Sequence, residues 1–292
     1  MNKQVQDLLE TAYGQSIDIV SSRSIGGGCI NQTLALTLSN SETVFLKHND
    51  HPPDGMFEKE ARGLNLMRQV KNGPRIPKVV ALPEGSNPQF LIIEYIEEGS
   101  PGNGYYERFG QALAQMHRTT RNHYGLDHNN FIGSTEQINT PEADGLAFFR
   151  EHRLGFQQKL ARQKGRLPVT TDKKIDRLCD QLDQWLDLTG ERPALVHGDL
   201  WSGNTFADSA QRPCLVDPAV HFGLRETDLA MTELFGRLPQ SFYDAYRDAF
   251  PQNPGYTERK PIYNLYHLLN HLNLFGGSYL ASVESTVEHF VR

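Results

Sequence analysis

Apolar and polar positions alternate over three early segments, Asp18–Ile25, Ile30–Leu38 and Thr43–His48, the period of a half-buried β-strand. Gly26-Gly27-Gly28 joins the first two, and Ser39-Asn40-Ser41-Glu42 leads into the third. Connections this short predict antiparallel pairing. From Asp54 to about Lys71 the period lengthens, placing Phe57, Ala61, Leu64 and Met67 on one face of a helix that Pro74 and Pro77 close. Val79–Leu82 and Phe90–Ile96 predict two further strands around the turn-rich Pro83–Pro88. No helix is assigned before the first strand, so the expectation is a five-stranded sheet with one helix.

Glu97–Gly104 is dense in residues that break both regular structures and predicts a linker. Beyond it the pattern turns helical. Phe109, Ala112, Leu113 and Met116 share one helix face, and Ile175, Leu178, Cys179, Leu182, Trp185 and Leu186 share another. Two short apolar runs, Ala194–Val196 and Cys214–Val216, are the only later strand candidates. Helices are expected again at Pro261–Phe275 and roughly Ser278–Val291. The predicted architecture is α+β and bilobal. Residues 1–96 form a small antiparallel-sheet lobe, residues 97–104 a hinge, and residues 105–292 a mostly helical lobe.

The two late strands bracket Leu195-Val-His-Gly-Asp-Leu-Trp-Ser-Gly-Asn204, with Leu215-Val-Asp-Pro218 following. Asp199 precedes Asn204 by five positions, the spacing of a kinase catalytic loop, and Asp217 is placed on the next strand. An aspartate after a strand often only caps a turn. Three such side chains together point instead to phosphoryl transfer. Asp199 would accept the proton of an attacking hydroxyl, while Asn204 and Asp217 offer hard oxygens to Mg²⁺ beside the phosphates of ATP.

Lys47, alone an ordinary strand-end lysine, occupies the third strand, where this plan needs a phosphate-pairing lysine held by a helix glutamate. Glu60, beside Ala61 and Leu64, is the preferred partner, and Glu58 is taken as solvated. Gly26, Gly27 and Gly28 would let backbone N–H groups close over phosphates, although G-x-G-x-x-G and the P-loop pattern are both absent. Cys29, at the end of that run, would impair nucleotide binding when oxidised. A fully oxidised sample of unchanged activity, with Cys29 modification confirmed by mass spectrometry, would refute this. His197 and Asp228 are assigned scaffold roles, Asp228 bracing the catalytic-loop backbone. His267 and His271 stand one helical turn apart without H-E-x-x-H, so zinc is disfavoured. With Tyr263 and Asn270 they are expected to present neutral donors and acceptors to a polyhydroxylated ligand in a cleft. Trp201 would stack on the ligand or plug the gap between lobes.

These residues resemble the fructosamine (ketosamine) kinase family, relatives of the aminoglycoside phosphotransferases with a protein-kinase-like fold. Gly26-Gly-Gly-Cys-Ile-Asn31, Met56-Phe-Glu-Lys-Glu60, His197-Gly-Asp-Leu-Trp-Ser-Gly-Asn204, Asp217-Pro-Ala219 and Asn270-His-Leu-Asn-Leu-Phe-Gly276 carry the likeness across nearly the whole chain. The resemblance implies ATP-dependent phosphorylation of a sugar hydroxyl on ketoamines, free or as glycated lysine. It implies Asp199 as base, Asn204 and Asp217 as metal ligands, Lys47 with Glu60 as the phosphate-positioning pair, and Trp201 and His271 at the sugar. Backbone around Glu94, Tyr95 and Ile96 is expected to meet adenine. Protein kinases differ. Gly198 stands where H-R-D has arginine, Asp-Pro-Ala replaces D-F-G, and no A-P-E follows. About ten residues separate Asp217 from Asp228, too few for a phosphorylated activation segment, so constitutive small-substrate chemistry is expected.

Composition narrows the picture slightly. A net charge of −6 argues against a nucleic-acid binder, and 38% hydrophobic with 22% charged residues is ordinary globular usage. No apolar run suggests a membrane span, the first residues lack a signal peptide's apolar segment, and the three cysteines form no even framework. A cytoplasmic monomer is the expectation. The competing readings are a phosphotransferase for an aminoglycoside or choline-type alcohol, and a catalytically silent nucleotide-binding scaffold. Cationic alcohols would call for a strongly acidic pocket, and the scaffold for loss of at least one of Lys47, Asp199, Asn204 and Asp217.

Overall fold

The computed structural model describes residues 2–26, 30–85 and 89–291. Gly27, Gly28 and Cys29 therefore lie outside the described residues, as does the proposed effect of Cys29 oxidation. Strands β1 (Ile19–Ser24), β2 (Gln32–Leu38), β3 (Thr43–His48), β4 (Val79–Ala81) and β5 (Phe90–Glu94) form an antiparallel sheet in the order β1-β2-β3-β5-β4. Strand alternation assigns the two faces. Leu36, Leu38, Val44, Leu46, Phe90 and Ile92 pack on a helix absent from the sequence-based expectation, α1 (Asn2–Tyr13), through Val5 and Leu9. The sheet thus carries two helices. On its other face, Phe45, Leu91 and Ile93 meet Phe57, Ala61, Leu64 and Met67 of α2 (Met56–Met67). Lys47 shares the parity of Phe45 and stands between Thr33 and Leu91 in register, so the pleat aims it at α2.

The expected linker contains a short strand, β6 (Glu98–Gly99), followed by α3 (Tyr105–His117) and the hairpin β7 (Asn130–Ile132) and β8 (Thr135–Gln137). Next come α4 (Gly145–Phe148), a π-helical turn at Phe149–Gly155, α5 (Phe156–Gln163), α6 (Val169–Asp180) and α7 (Leu182–Trp185). Four short strands stand later in the chain, two of them on the apolar runs expected at 194–196 and 214–216. β9 (Ala194–Val196) pairs with β12 (His221–Gly223), and β10 (Thr205–Asp208) pairs with both β11 (Pro213–Leu215) and β6. The two not expected, β10 and β12, are four and three residues long and show no alternation that a sequence pattern can register. Helices α8 (Glu226–Met231), α9 (Gln240–Ala249), α10 (Tyr256–Phe275) and α11 (Leu280–Phe290) complete the chain. The last long helix starts five residues before Pro261, which sits inside it. No helix among the described residues is long and apolar enough to cross a membrane.

Asp208 ties the β10–β11 turn to the sheet. Its fully buried carboxylate accepts from Ala210 N at 3.0 Å, Arg212 N at 2.8 Å, Arg212 Nε at 2.7 Å and Arg75 Nη1 at 2.5 Å. Arg75 also donates to Glu94 at 2.6 Å, and its backbone bridges Pro213 and Leu215. Burial alone would raise the Asp208 pKa, but these donors bring it down to about 2. A depressed folded-state pKa stabilises above the unfolded value of 3.8 and is lost as pH falls toward 2. We expect Asp208→Asn to cost about 2 kcal/mol at pH 7, read by urea unfolding, because charged acceptors count most when buried. The gap from the parent protein should close between pH 4 and pH 2, a window set by those two values. A gap constant with pH would contradict the assignment.

Candidate active site

The site forms where β3, α2 and the loops after β9 and β11 converge on a cavity of about 540 Å³. Its described lining includes Lys47, Glu60, Asp199, Trp201, Asn204, Asp217 and His271. Each reaches it for a local reason.

Asp199 follows β9 in a loop held from beneath by Asp228. The buried Asp228 carboxylate accepts from His197 N at 2.7 Å and Gly198 N at 2.9 Å, and lies 3.1 Å from His117 Nε2. Burial disfavours its charge, but His117 and the loop donors keep its pKa below the usual carboxylate value. His197 is likewise buried: its Nδ1 accepts from Asp199 N at 3.3 Å, so Nε2 carries the proton to Val216 O at 2.9 Å. Burial lowers its pKa, consistent with a neutral strut rather than a proton carrier. Gly198 has φ +82°, and a Cβ there would stand 2.2 Å from Ala219 O. Only glycine fits where the two loops touch backbone to backbone.

Asn204 Nδ2 donates to the Asp199 carbonyl at 2.9 Å and to its Oδ2 at 3.3 Å, closing the loop on itself. Asp217 is not on a strand, contrary to expectation. β11 ends at Leu215, and Asp217 adopts φ +55°, a left-handed turn that lifts its half-exposed carboxylate off the strand path. Such a residue is uncommon outside glycine, and such strain gathers at functional sites. There it meets Lys47, whose ammonium donates to both Asp217 and Glu60. Glu58 instead pairs with Arg62 at the surface, at 2.7 Å. Burial opposes the Lys47 charge, yet Asp217 and Glu60 hold its pKa above the ordinary lysine value. Burial foremost, with Asp217 repulsion, raises Glu60, while Lys47 pulls the other way.

Three carboxylates, Glu60, Asp199 and Asp217, share the lining with Lys47 and Lys59; Lys47 pairs with Glu60 and Asp217, and Asp199 has no ion pair among the described residues. The deficit shows in Asp199, whose pKa is pushed up to about 7 by burial first and Asp217 second. A divalent cation beside Asp217 and Asn204 would neutralise that excess, and the oxygen donors suit Mg²⁺. Among the described residues no cluster of three or more His, Cys, Asp and Glu is placed as a metal cage. Mg²⁺ fits that economy, since it takes one or two carboxylates and completes its shell with phosphates and water.

Other expected positions separate. His271 and Asn270 line the cavity, but His267 and Tyr263 do not. At 100° per residue α10 turns those two into the core, where His267 is 2% exposed and lines a small internal void with Arg153, His221 and Tyr266. Burial pushes its pKa down to about 3. His267 is therefore withdrawn from the ligand-facing set. Glu94, Tyr95 and Ile96 lie at and just past the end of β5, outside the described lining of this cavity. The Glu94 carboxylate is engaged by Arg75 and by Lys78 N at 3.1 Å, and the Tyr95 hydroxyl accepts from Arg23 at 2.5 Å. Gly26 is exposed after β1. Sequence reasoning missed a buried amide network. Gln137 Nε2 donates to Ala219 O at 2.9 Å and Asn130 Nδ2 to Val220 O at 2.7 Å, fixing the backbone after Asp217. Neither lies in a motif of recognisable spacing.

The whole chain, residues 1–292, matches the fructosamine kinase family model. This chain belongs to the fructosamine kinase family. A Synechocystis sp. protein described as a ketoamine kinase is 40% identical over 96% of this chain and 93% of its own length. A chloroplastic protein-ribulosamine 3-kinase from Oryza sativa subsp. japonica is 38% identical over 96% of this chain and 81% of its own. The crystal structure of a protein described as a fructosamine-3-kinase from Thermobifida fusca YX-ER1 superposes with a TM-score of 0.86 at 30% identity, over 99% of this chain and 97% of that one. The fold is the α+β, bilobal fold of protein-kinase-like phosphotransferases. The protein is a phosphotransferase with a hydroxyl group as acceptor.

Proposed function

We propose that this enzyme transfers the γ-phosphoryl group of ATP to a sugar hydroxyl of a ketoamine, the adduct of a ketose with an amine or a lysine side chain. The observation that carries the reading is the shared lining of Asp199, Asn204, Asp217 and the Lys47–Glu60 pair around one ligand-sized cavity. In this reading Asp199 orients the acceptor hydroxyl and takes its proton as the bond to phosphorus forms. Lys47, fixed by Glu60, positions nucleotide phosphates. Asn204 and Asp217 hold Mg²⁺, which when bound would offset phosphate charge. Backbone at Glu94 to Ile96 meets adenine. Names of the relatives, ketoamine kinase and protein-ribulosamine 3-kinase, support the acceptor class.

A cavity walled by Asn31, Asn130, Asn270 and His271 beside two aspartates offers donors and acceptors to a polyol. The test is ATP turnover with Mg²⁺ against ribulose-, erythrulose- and fructose-lysine adducts, aminoglycosides and choline. Turnover of at least one ketoamine is expected. Turnover of aminoglycosides or choline alone would reassign the substrate, and no turnover of any would favour a silent scaffold.

A further inference from the structure

Five rings gather on one wall of the cavity that holds Asp199. Trp201, Phe235, His271, Phe275 and Tyr279 are linked ring to ring, with Phe235 and His271 centroids 4.7 Å apart, His271 and Tyr279 5.0 Å, His271 and Phe275 5.5 Å, and Trp201 and Phe235 6.5 Å. All five line the cavity. Three of them are among the few large apolar side chains left exposed: Trp201 at 36%, Phe235 at 37% and Phe275 at 52%. Exposed rings clustered this way mark a binding surface more often than a packing accident. Their arrangement is also built. Gly203 leaves room for the Trp201 indole, which a Cβ there would meet at 2.3 Å. The carboxylates of the described lining, Glu60, Asp199 and Asp217, belong to the phosphoryl-transfer cluster and not to this wall.

We propose that this aromatic wall receives the amine arm of the ketoamine, its nitrogen and the methylenes that follow, so that the enzyme selects adducts of alkylamines with an extended apolar stem. The inference rests on the ketoamine reading given above. In such a substrate one methylene joins the polyol to the nitrogen. With a sugar hydroxyl at Asp199, the nitrogen and its substituent must therefore enter the same cavity within a few bonds. A dialkylammonium nitrogen is cationic at neutral pH, and the faces of Trp201 and Phe235 attract it without a carboxylate. Methylenes beyond it lose water against Phe235, Phe275 and Tyr279. Since Phe275 is half exposed, the wall opens outward, and whatever lies beyond the stem stays in solvent. A lysine side chain meets all of these terms.

Ribulose adducts of methylamine, butylamine and Nα-blocked lysine, identical in the sugar, isolate the stem. The wild type should turn over the butylamine and lysine adducts with kcat/KM about tenfold above the methylamine adduct, the scale of two or three partly buried methylenes. Phe275→Ala and Phe235→Ala should raise KM for the two long-stem adducts about tenfold and leave kcat within about twofold; Phe275→Ala should leave the methylamine adduct unchanged, and Phe235→Ala, which also faces the shared nitrogen, should weaken it by less than the long-stem adducts. Phe275 is exposed enough that its variant should fold if the Phe235 variant does not. Phosphorylation of all three adducts with equal losses in the variants would overturn the amine-arm assignment alone. Failure of the wild type to phosphorylate any of the three would overturn that assignment together with the ketoamine reading.

Discussion

Asp199→Asn is expected to lower kcat by roughly a thousandfold or more with the fold intact, the scale set by loss of a positioned base. The amide keeps the size of the side chain and can still bond Asn204, but it cannot take a proton. The pH profile makes the same point with a sign. Asp199 is buried against Asp217 and has its pKa pushed up to about 7. A base works only when deprotonated, so wild-type kcat/KM should fall as pH drops through the acid limb. Mg²⁺ and nucleotide bound nearby favour the charged carboxylate and move that limb to lower pH. The residual activity of Asp199→Asn should lack the limb. Steady-state rates from pH 5 to pH 9, with thermal unfolding as the folding control, check both statements. A variant within about tenfold of wild type would remove Asp199 from the chemistry.

Asp228→Ala carries the largest expected effect on stability. Asp228 accepts from two consecutive backbone N–H groups, His197 and Gly198, and faces the buried His117. Alanine leaves all three without the acceptor that now satisfies them, inside a region water does not reach. The expected cost is about 3–5 kcal/mol in urea unfolding, the range for breaking a buried charged network. Activity should fall as well, since the same two amides place the backbone that leads into Asp199. Asp228→Asn, which retains one acceptor oxygen, should lose less on both counts. Equal stability of Asp228→Ala and the parent would mean the loop is anchored elsewhere.

What the sequence made legible was whatever had a period or a fixed spacing. Thr43–His48 alternates, so β3 and the aim of Lys47 at Glu60 follow from counting residues. The five-residue step from Asp199 to Asn204 is a loop length, and the loop folds back on itself to bring both together. Features set by long-range contact were not legible. The four- and three-residue strands β10 and β12 exist through their neighbours, and Asp217 leaves the strand path in a left-handed turn that no pattern announces. His267 shows how a helical cluster misleads. It and His271 are one turn apart, but Tyr263, His267 and His271 span enough arc that the cavity takes only His271, while the core takes the others. α1 was missed although Val5 and Leu9 stand at helical spacing, because a twelve-residue amphipathic helix is a weak signal until the sheet face it covers is known.

The most direct measurement is phosphorus and proton NMR of the product formed when the enzyme is incubated with Mg²⁺, ATP and ribulose-lysine. A new phosphate monoester resonance coupled to a sugar proton, appearing as ADP accumulates and absent with Asp199→Asn, is the expected result. ATP left intact beside unmodified ribulose-, erythrulose- and fructose-lysine adducts, with a well-folded sample, would contradict the assignment of the Asp199 cavity to ketoamine phosphorylation.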